Sequence, residues 1–551
     1  MSQPPPSRTC VSEPDYVRLK DASSRAEERV GGRTASGAAL LTFVAVEVAG
    51  AVIYLVNGRK VWFFGVFGDE WDFLAGRRAT IPDLLMRHGD HLVALPALVF
   101  RVLYSAFGLR TYLPYQLCAI LLHLAAAALL RVVMRRAGVK PWIATVAAGA
   151  FVLFGAGSQD ILIAFQITFS GALVLGLVQL LLVDHPGPID RRDGLALLAG
   201  LGALLCSDIA LVMIAAAGVA ALARGRWRAA LLQVVPLAAV YAAWLVGYGR
   251  RARTNTDFSR IVTSVRTTLS GTFGALAQLP FLGWALAAML VAGAVVAIRD
   301  ARRSGTLGAL TVPGALVLAA LLFALMLALT RFGLGAHFAA SSRYLHVVAA
   351  LVLPALAIAA DALARHWRVL APVVVVLLLV GVPGNISKVG DNVGPAARYR
   401  EQRRVISSLP ALANARNAPR SLHPTPSFAA EVTVGWLLDA QRAGRIPTER
   451  LTSARERATD RLRLSLEQVD GIHDASCTPL RGTVTRRLAP GDSFGVVGTI
   501  LVQSVPRRGT VSTPLPFGAG LLATARTHSL RAVSGPLTLR ITPLPPAAAL
   551  C

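Results

Sequence analysis

The run LVLAALLFALMLAL at residues 316–329 carries no charged side chain, and neither does APVVVVLLLVGV at 371–382. A helix needs about 20 predominantly apolar residues to cross the hydrocarbon core of a bilayer, and stretches of that kind recur across most of 37–384. Over the whole chain 54% of residues are hydrophobic and only 16% charged, whereas a soluble chain is roughly 25% charged. The mean hydropathy of +0.56 agrees. The expected fold is mainly α: a polytopic transmembrane bundle of about eleven helices, with a small α+β, β-rich C-terminal domain outside the bilayer.

Helices are expected at 37–57, 113–133, 141–157, 161–183, 194–207, 209–223, 229–248, 281–298, 308–330, 345–364 and 369–384. Basic clusters at 131–140, 191–192, 224–228, 299–303 and 365–368 each fall between two of them. With the N-terminus in the cytoplasm, all five land on the cytoplasmic side, as the positive-inside bias requires. The short outer turns at 157–160 and 207–208 carry no Lys or Arg. Residues 194–223 also admit one long helix, but that reading moves Arg224, Arg226 and Arg228 outside, so a hairpin broken at Cys206-Ser207-Asp208 is preferred. The basic stretch 396–404 favours a cytoplasmic tail. Long domains are translocated largely regardless of charge, and the tail is placed outside.

The chain divides into three regions. Residues 1–36 are polar and expected to be a disordered cytoplasmic tail; without the features of a cleaved signal, the first helix is expected to remain as an anchor. Residues 37–384 form the membrane domain, with long outer loops at 58–112 and 249–280. Within the first loop, 92–107 is apolar but short for a span and suits an interfacial helix. Residues 385–551 have the composition of a soluble domain: helical pattern over 431–468, then alternating runs at 495–505 and 537–541 with turns at Pro490-Gly491-Asp492 and Arg507-Arg508-Gly509. Cys477 and Cys551 bracket the β-rich part and could pair outside the cytoplasm; the sequence leaves that open. The Ala/Arg/Gly/Val bias suggests a bacterial source, and hence a bacterial inner (plasma) membrane.

The net charge is +26, from 56 Lys+Arg against 30 Asp+Glu. It is not arranged as a basic helix interleaved with aromatics, so nucleic acid is not an expected partner; membrane lipids and lipid phosphates are. No P-loop or Gly-x-Gly-x-x-Gly fingerprint is present. The informative segment is Phe67-Gly68-Asp69-Glu70-Trp71-Asp72-Phe73, with His88-Gly89-Asp90-His91 downstream. Three carboxylates just beyond a membrane helix can be a solvated acidic turn or a catalytic cluster. His88 and His91, at i and i+3, are suited to Zn²⁺, but no third ligand is evident, and a hydrogen-bonding pair at the interface is the reading taken, with no metal and no cofactor.

The acidic segment and the elements downstream of it resemble the GT-C superfamily of membrane glycosyltransferases, especially the protein O-mannosyltransferase and aminoarabinose transferase branch. The parts that carry the resemblance are Asp69-Glu70, the apolar segment 92–104, Phe107-Gly108, the helix 113–136 with its basic end and Gly138, and Arg343-Tyr344 opening a later apolar helix. It covers roughly 37–384 and lies in order and spacing more than in letters. Two departures stand out: Asp208 where relatives often carry a Lys-containing pair, and His91-Leu92-Val93-Ala94-Leu95-Pro96 where they often show Lys-Pro-Pro or His-Pro-Pro.

The resemblance implies transfer of a sugar from a polyprenyl-phosphate carrier to a hydroxyl of a glycan, lipid or protein acceptor on the outer face. A carboxylate must take the hydroxyl proton, a contribution of roughly 10²–10⁴-fold. The resemblance gives that task to Asp69, with Glu70 and Asp72 as alternates that orient the acceptor or cap the loop. The phosphate leaving group needs cations, and arginine's planar fork suits it. The candidates are Arg250, Arg251, Arg331 and Arg343, with His337 and Tyr344 beside them; each Arg is otherwise read as an interfacial snorkelling residue. Asp160 and Asp208, at the short outer turns, are expected to converge on the same cavity. The rival reading is a non-enzymatic transporter, flippase or envelope-assembly factor on the same scaffold. It would favour charged or broken helices at the midplane and an internal repeat, whereas here the outer-side carboxylates fall in loops and no repeat is seen.

Overall fold

The computed structural model describes residues 13–63, 69–249, 254–331, 335–449, 451, 453–470, 476–505 and 528–551. All eleven expected positions carry helix. The long ones are α1 (Glu13–Gly58), α5 (Leu113–Arg136), α8 (Ile167–Val183), α11 (Trp227–Gly247), α13 (Pro280–Arg303), α14 (Thr311–Thr330), α15 (Ser342–His366) and α16 (Ala371–Leu379) continued by α17 (Val382–Ser387). Among the described residues, and including flanking turns, eight segments are long and apolar enough to cross a membrane, or nine if α6 (Pro141–Val152) and α7 (Ser158–Leu162) count as one span bent by 41°. The expected hairpin is present: α9 (Arg191–Leu204) and α10 (Ile209–Ala223) are separate helices parted at 205–208.

The membrane reading is borne out by what the bundle exposes. Leu231, Val235 and Val246 on α11 and Phe281, Trp284, Val291 and Val295 on α13 face outward, an apolar belt that water would not tolerate but lipid would. At the centre lies α15, buried over 94% of its apolar window.

Two expectations are corrected. The first helix starts at Glu13, so residues 13–36, expected to be a disordered tail, are helical; Ala, Arg, Glu and Lys recur there and favour helix even without an apolar face. Loop 249–280 is not a loop, since α12 (Phe258–Ala277) fills most of it. Its Ser and Thr content hid it, yet Thr263, Thr267, Thr268 and Thr272 return their hydroxyls to carbonyls four residues earlier at 2.8–3.0 Å. A hydroxyl satisfied on its own helix carries little cost when buried.

The first outer loop holds α2 (Asp69–Trp71), a π-helical turn over Asp72–Gly76, α3 (Ile81–Leu85) and α4 (Ala94–Phe107), the last being the helix expected at 92–107. This loop is welded to the helical half of the tail, α18 (Ala396–Ser408) and α19 (Val434–Arg442). Trp71, Phe63, Phe73 and Phe100 share one buried core with Val405, Ile406, Leu422, Ala429 and Leu437. Trp436 meets Trp71 edge-on at 6.4 Å and stacks on Tyr104 at 5.8 Å. Leu109 N donates to Arg445 O at 2.6 Å. The boundary drawn at 385 therefore divides chain segments that share a core.

After α20 (Ala454–Arg463) comes the expected β-rich part, an antiparallel six-stranded sheet of β1 (Leu466–Asp470), β2 (Thr478–Pro479), β3 (Val484–Leu488), β4 (Ser493–Ser504), β5 (His528–Ala532) and β6 (Leu537–Leu550). Phe494, Ile500, Val502, Leu539 and Ile541 form its separate core. The expected turn at 490–492 is present, with Gly491 at φ 96°; the one at 507–509 lies outside the described residues. Cys477 and Cys551 form a disulfide across a separation of 74 residues. In the chain-entropy picture a loop of that length stabilises the sheet by about 4 kcal/mol. Cys477→Ser is expected to make the sheet protease-sensitive while the helical circular-dichroism signal persists; equal protease resistance would show that the bond is dispensable.

Candidate functional site

The acidic segment opens a short helical turn, where free backbone N–H groups favour carboxylates. The three carboxylates part ways immediately. Asp69 Oδ1 lies 3.0 Å from His88 Nε2, and Asp72 Oδ2 lies 2.7 Å from His88 Nδ1. Arg77 donates to Asp72 through Nε at 2.9 Å and Nη2 at 2.6 Å, and also to the Met86 and Arg87 carbonyls. Burial works against charge on His88, but its hydrogen bonds to Asp69 and Asp72 outweigh that and raise it from 6.5 to about 9. Both ring nitrogens then donate. Because the folded value is the higher one, this clamp stabilises fully below about pH 6.5 and is lost as pH rises through about 9. Asp72 is held below the ordinary carboxylate range: burial opposes the shift, while His88 and Arg77 more than offset it.

Glu70 is different. It is fully buried and accepts from Tyr112 Oη at 2.6 Å and from Phe165 N at 3.0 Å, while Tyr112 Oη accepts from Ala164 N at 2.7 Å. It ties down amides released at the break before α8 and does not share the His88 bonds of Asp69 and Asp72.

The two histidines are paired through backbone only: His88 N donates to His91 O at 3.0 Å and His91 N to His88 O at 2.9 Å, a tight turn in which Gly89 takes φ 56°. Their rings reach different partners. His91 Nε2 lies 2.5 Å from Arg331 Nη2 and its Nδ1 3.0 Å from Asp208 Oδ2. A guanidinium only donates, so Nε2 holds the lone pair and Nδ1–H donates to Asp208. Arg331 also approaches Asp90 at 4.0 Å. The turn is fastened to the bundle by Leu95 N donating to Leu205 O at 3.0 Å and by Trp244 Nε1 donating to Leu85 O at 2.8 Å.

Beside this turn opens a cavity of about 660 Å³. Its polar end holds Asp90, His91, Asp208, Tyr241 and Arg331; its apolar wall is built from Phe169, Leu245, Val246, Phe323 and Met326, with the Tyr344 ring against Phe169 and Phe323. Of the expected site residues, His91, Asp208, Arg331 and Tyr344 converge here. Asp69, Asp72 and His88 are not among the described lining residues.

Asp160 does not converge on this cavity. It is fully buried, 3.1 Å from His346 Nδ1. His346 Nε2 lies 2.9 Å from His123 Nδ1, and His123 Nε2 lies 3.1 Å from Val152 O. The carbonyl can only accept, so His123 carries its proton on Nε2 and receives His346 Nε2–H on Nδ1. The chain closes the backbone opened at the α6–α7 bend, helped by Tyr54 Oη donating to the same carbonyl at 2.7 Å. Arg343 lies over the Phe338 and Tyr344 rings at 5.3 and 5.1 Å, and His337 is exposed. Arg250 and Arg251 lie outside the described residues.

Sequence reasoning missed Arg77, Asp90, Tyr241 and the His123–His346 pair. A lone histidine inside each of two apolar runs was the available signal for the last. For metals, His185, Asp190 and Asp193 come within reach of one ion at the α8–α9 turn, but Arg226 Nη2 lies 2.7 Å from Asp193 Oδ2 and already supplies the positive charge.

Fold and site together define a multi-pass membrane protein with an acidic, histidine-linked site next to an amphipathic cavity. No protein-family model matches the chain, and no curated protein does. Among solved structures it is similar to ArnT from Cupriavidus metallidurans in the apo state, with 14% identity and a TM-score of 0.45 over 80% of this chain and 94% of that one. At that distance no residue role is carried across.

Proposed function

We propose that the protein is a GT-C-type glycosyltransferase that moves a sugar from a polyprenyl-phosphate carrier to a hydroxyl of a cell-envelope acceptor. The site would face the outside of a bacterial inner membrane, with the N-terminus cytoplasmic and the tail extracytoplasmic. The observation that carries the reading is the cavity beside the acidic turn, which has an apolar wall suited to a prenyl chain and Arg331 at its polar end for the phosphate. The disulfide supports the outward placement of the tail, since such bonds persist in oxidising compartments.

In this reading the bond between the anomeric carbon and the phosphate oxygen breaks as the acceptor oxygen attacks from the opposite face. Arg331 takes up the charge that develops on the phosphate, and Asp69, oriented by His88, takes the hydroxyl proton. Donor and acceptor then approach the 88–91 turn from its two sides. A second assignment has an observation in its favour: Asp208 lines the cavity itself and could serve as the base in place of Asp69.

The test compares envelope glycans from a strain lacking the protein with the same strain complemented by it. Loss of one defined sugar, restored on complementation, is expected. Identical glycans in both strains would remove the transferase reading and favour a transporter or assembly factor.

A further inference from the structure

The tail brings one more carboxylate to the acidic turn, Glu431, which lies just ahead of α19. The backbone of Gly76 marks the place: a Cβ built there would lie 2.8 Å from Asp72 Oδ1 and 3.1 Å from Glu431 Cγ. Both side chains thus crowd one point above the π-helical turn. Glu431 Oε2 is buried and has no hydrogen-bond partner among the described residues. Its segment is fixed by packing, since Ala429 and Val432 belong to the core shared with Trp71 and Phe73. A buried carboxylate oxygen without a hydrogen bond is costly, although the side chain as a whole is only half-buried.

We propose that Glu431 is a positioning residue that the tail contributes to the site, setting the net charge of the Asp69–His88–Asp72 cluster. Its charged neighbours are Asp69 and Asp72 on the acidic turn and the His88 imidazolium, with Arg77 beyond, bonded to Asp72. Ionised, Glu431 adds a negative charge beside Asp72 that holds the His88 proton more firmly and makes Asp69 a better proton acceptor. Protonated, it withdraws that charge.

Burial pushes Glu431 up from 4.5 to about 7; a hydrogen bond with its own backbone and the His88 charge oppose the rise, and Asp72 and Asp69 add to it. A carboxyl with a raised folded value binds its proton more tightly when folded, so the folded state loses stability as pH rises from about 4.5 through about 7. The inference rests on the proposed role of Asp69, and the test separates the two.

Purified wild-type protein and Glu431→Gln are unfolded thermally between pH 5.5 and 8, alone and in an Asp72→Asn background. The variant is expected to gain on wild type as pH rises, by about 2 °C or more, and the gain should shrink when Asp72 is neutral. A gap that is constant with pH, or indifferent to Asp72, overturns the proposal whatever the protein's activity.

In complemented cells, sugar deposition by wild type should rise up to about tenfold from pH 6 to pH 8, tracking the ionised fraction of a group titrating near 7. It should be flat in Glu431→Gln and pH-dependent again in Glu431→Asp. Glu431→Gln with the wild-type pH response also overturns it. If deleting the protein removes no sugar, the transferase reading fails, and the stability measurement alone decides the place of Glu431.

Discussion

Asp69→Asn is expected to cut sugar deposition by about 10²–10⁴-fold at wild-type protein level, the usual contribution of a positioned general base. The substitution is chosen because asparagine is nearly isosteric and its Oδ1 can still accept from His88 Nε2–H, now 3.0 Å from Asp69 Oδ1. Asp72 remains at 2.7 Å to hold the imidazolium. Charge is removed without opening a hole, so loss of transfer with an intact fold would assign the base. Asp208→Asn is the control. If it abolishes transfer and Asp69→Asn does not, the cavity-facing carboxylate is the base; if neither matters, the non-enzymatic reading gains. Glu70→Gln should behave as a folding variant, because Glu70 accepts from both Tyr112 and the Phe165 amide in a fully buried place.

Arg331→Ala is expected to lower transfer by about 10²-fold or more, the cost of deleting one preorganised donor to a developing anion. Arg331→Lys should recover part of this, keeping the charge but losing the planar fork that grips two phosphate oxygens. The alanine variant also frees His91 Nε2, which now lies 2.5 Å from Arg331 Nη2, so protein level and melting temperature must be read alongside. Transfer unchanged in both variants would remove Arg331 as the phosphate ligand and turn attention to Arg250 and Arg251.

The bundle was legible in the sequence because lipid imposes a simple rule: an apolar run of span length has to be helix, with its backbone satisfied internally. Runs such as 316–329 obey that rule directly. The break at Cys206-Ser207-Asp208 was legible from charge bias, since one continuous helix would have carried Arg224, Arg226 and Arg228 outside. Helix α12 was not legible, because its hydroxyls are neutralised by bonds to its own carbonyls, a local geometry that composition does not report. At the site, the sequence pointed to Asp69, Asp72, His88 and His91 as a neighbourhood but did not give the ring partners of the two histidines, which come from Asp69, Asp72, Asp208 and Arg331.

By itself, then, the sequence determined the class of molecule, the positions of the eleven apolar helices and the chemical character of the first outer loop. These depend on side chains near one another in the chain, where hydrophobic period and charge bias act. Tertiary structure decided the rest. It sent Glu70 into the core and left Asp69 on His88, joined His91 to Asp208 across 117 residues and to Arg331 across 240, and brought Glu431 from the tail against Asp72. Such pairings are set by which buried faces fit together and which polar groups must be satisfied once water is gone, and neither is written in any local stretch of sequence.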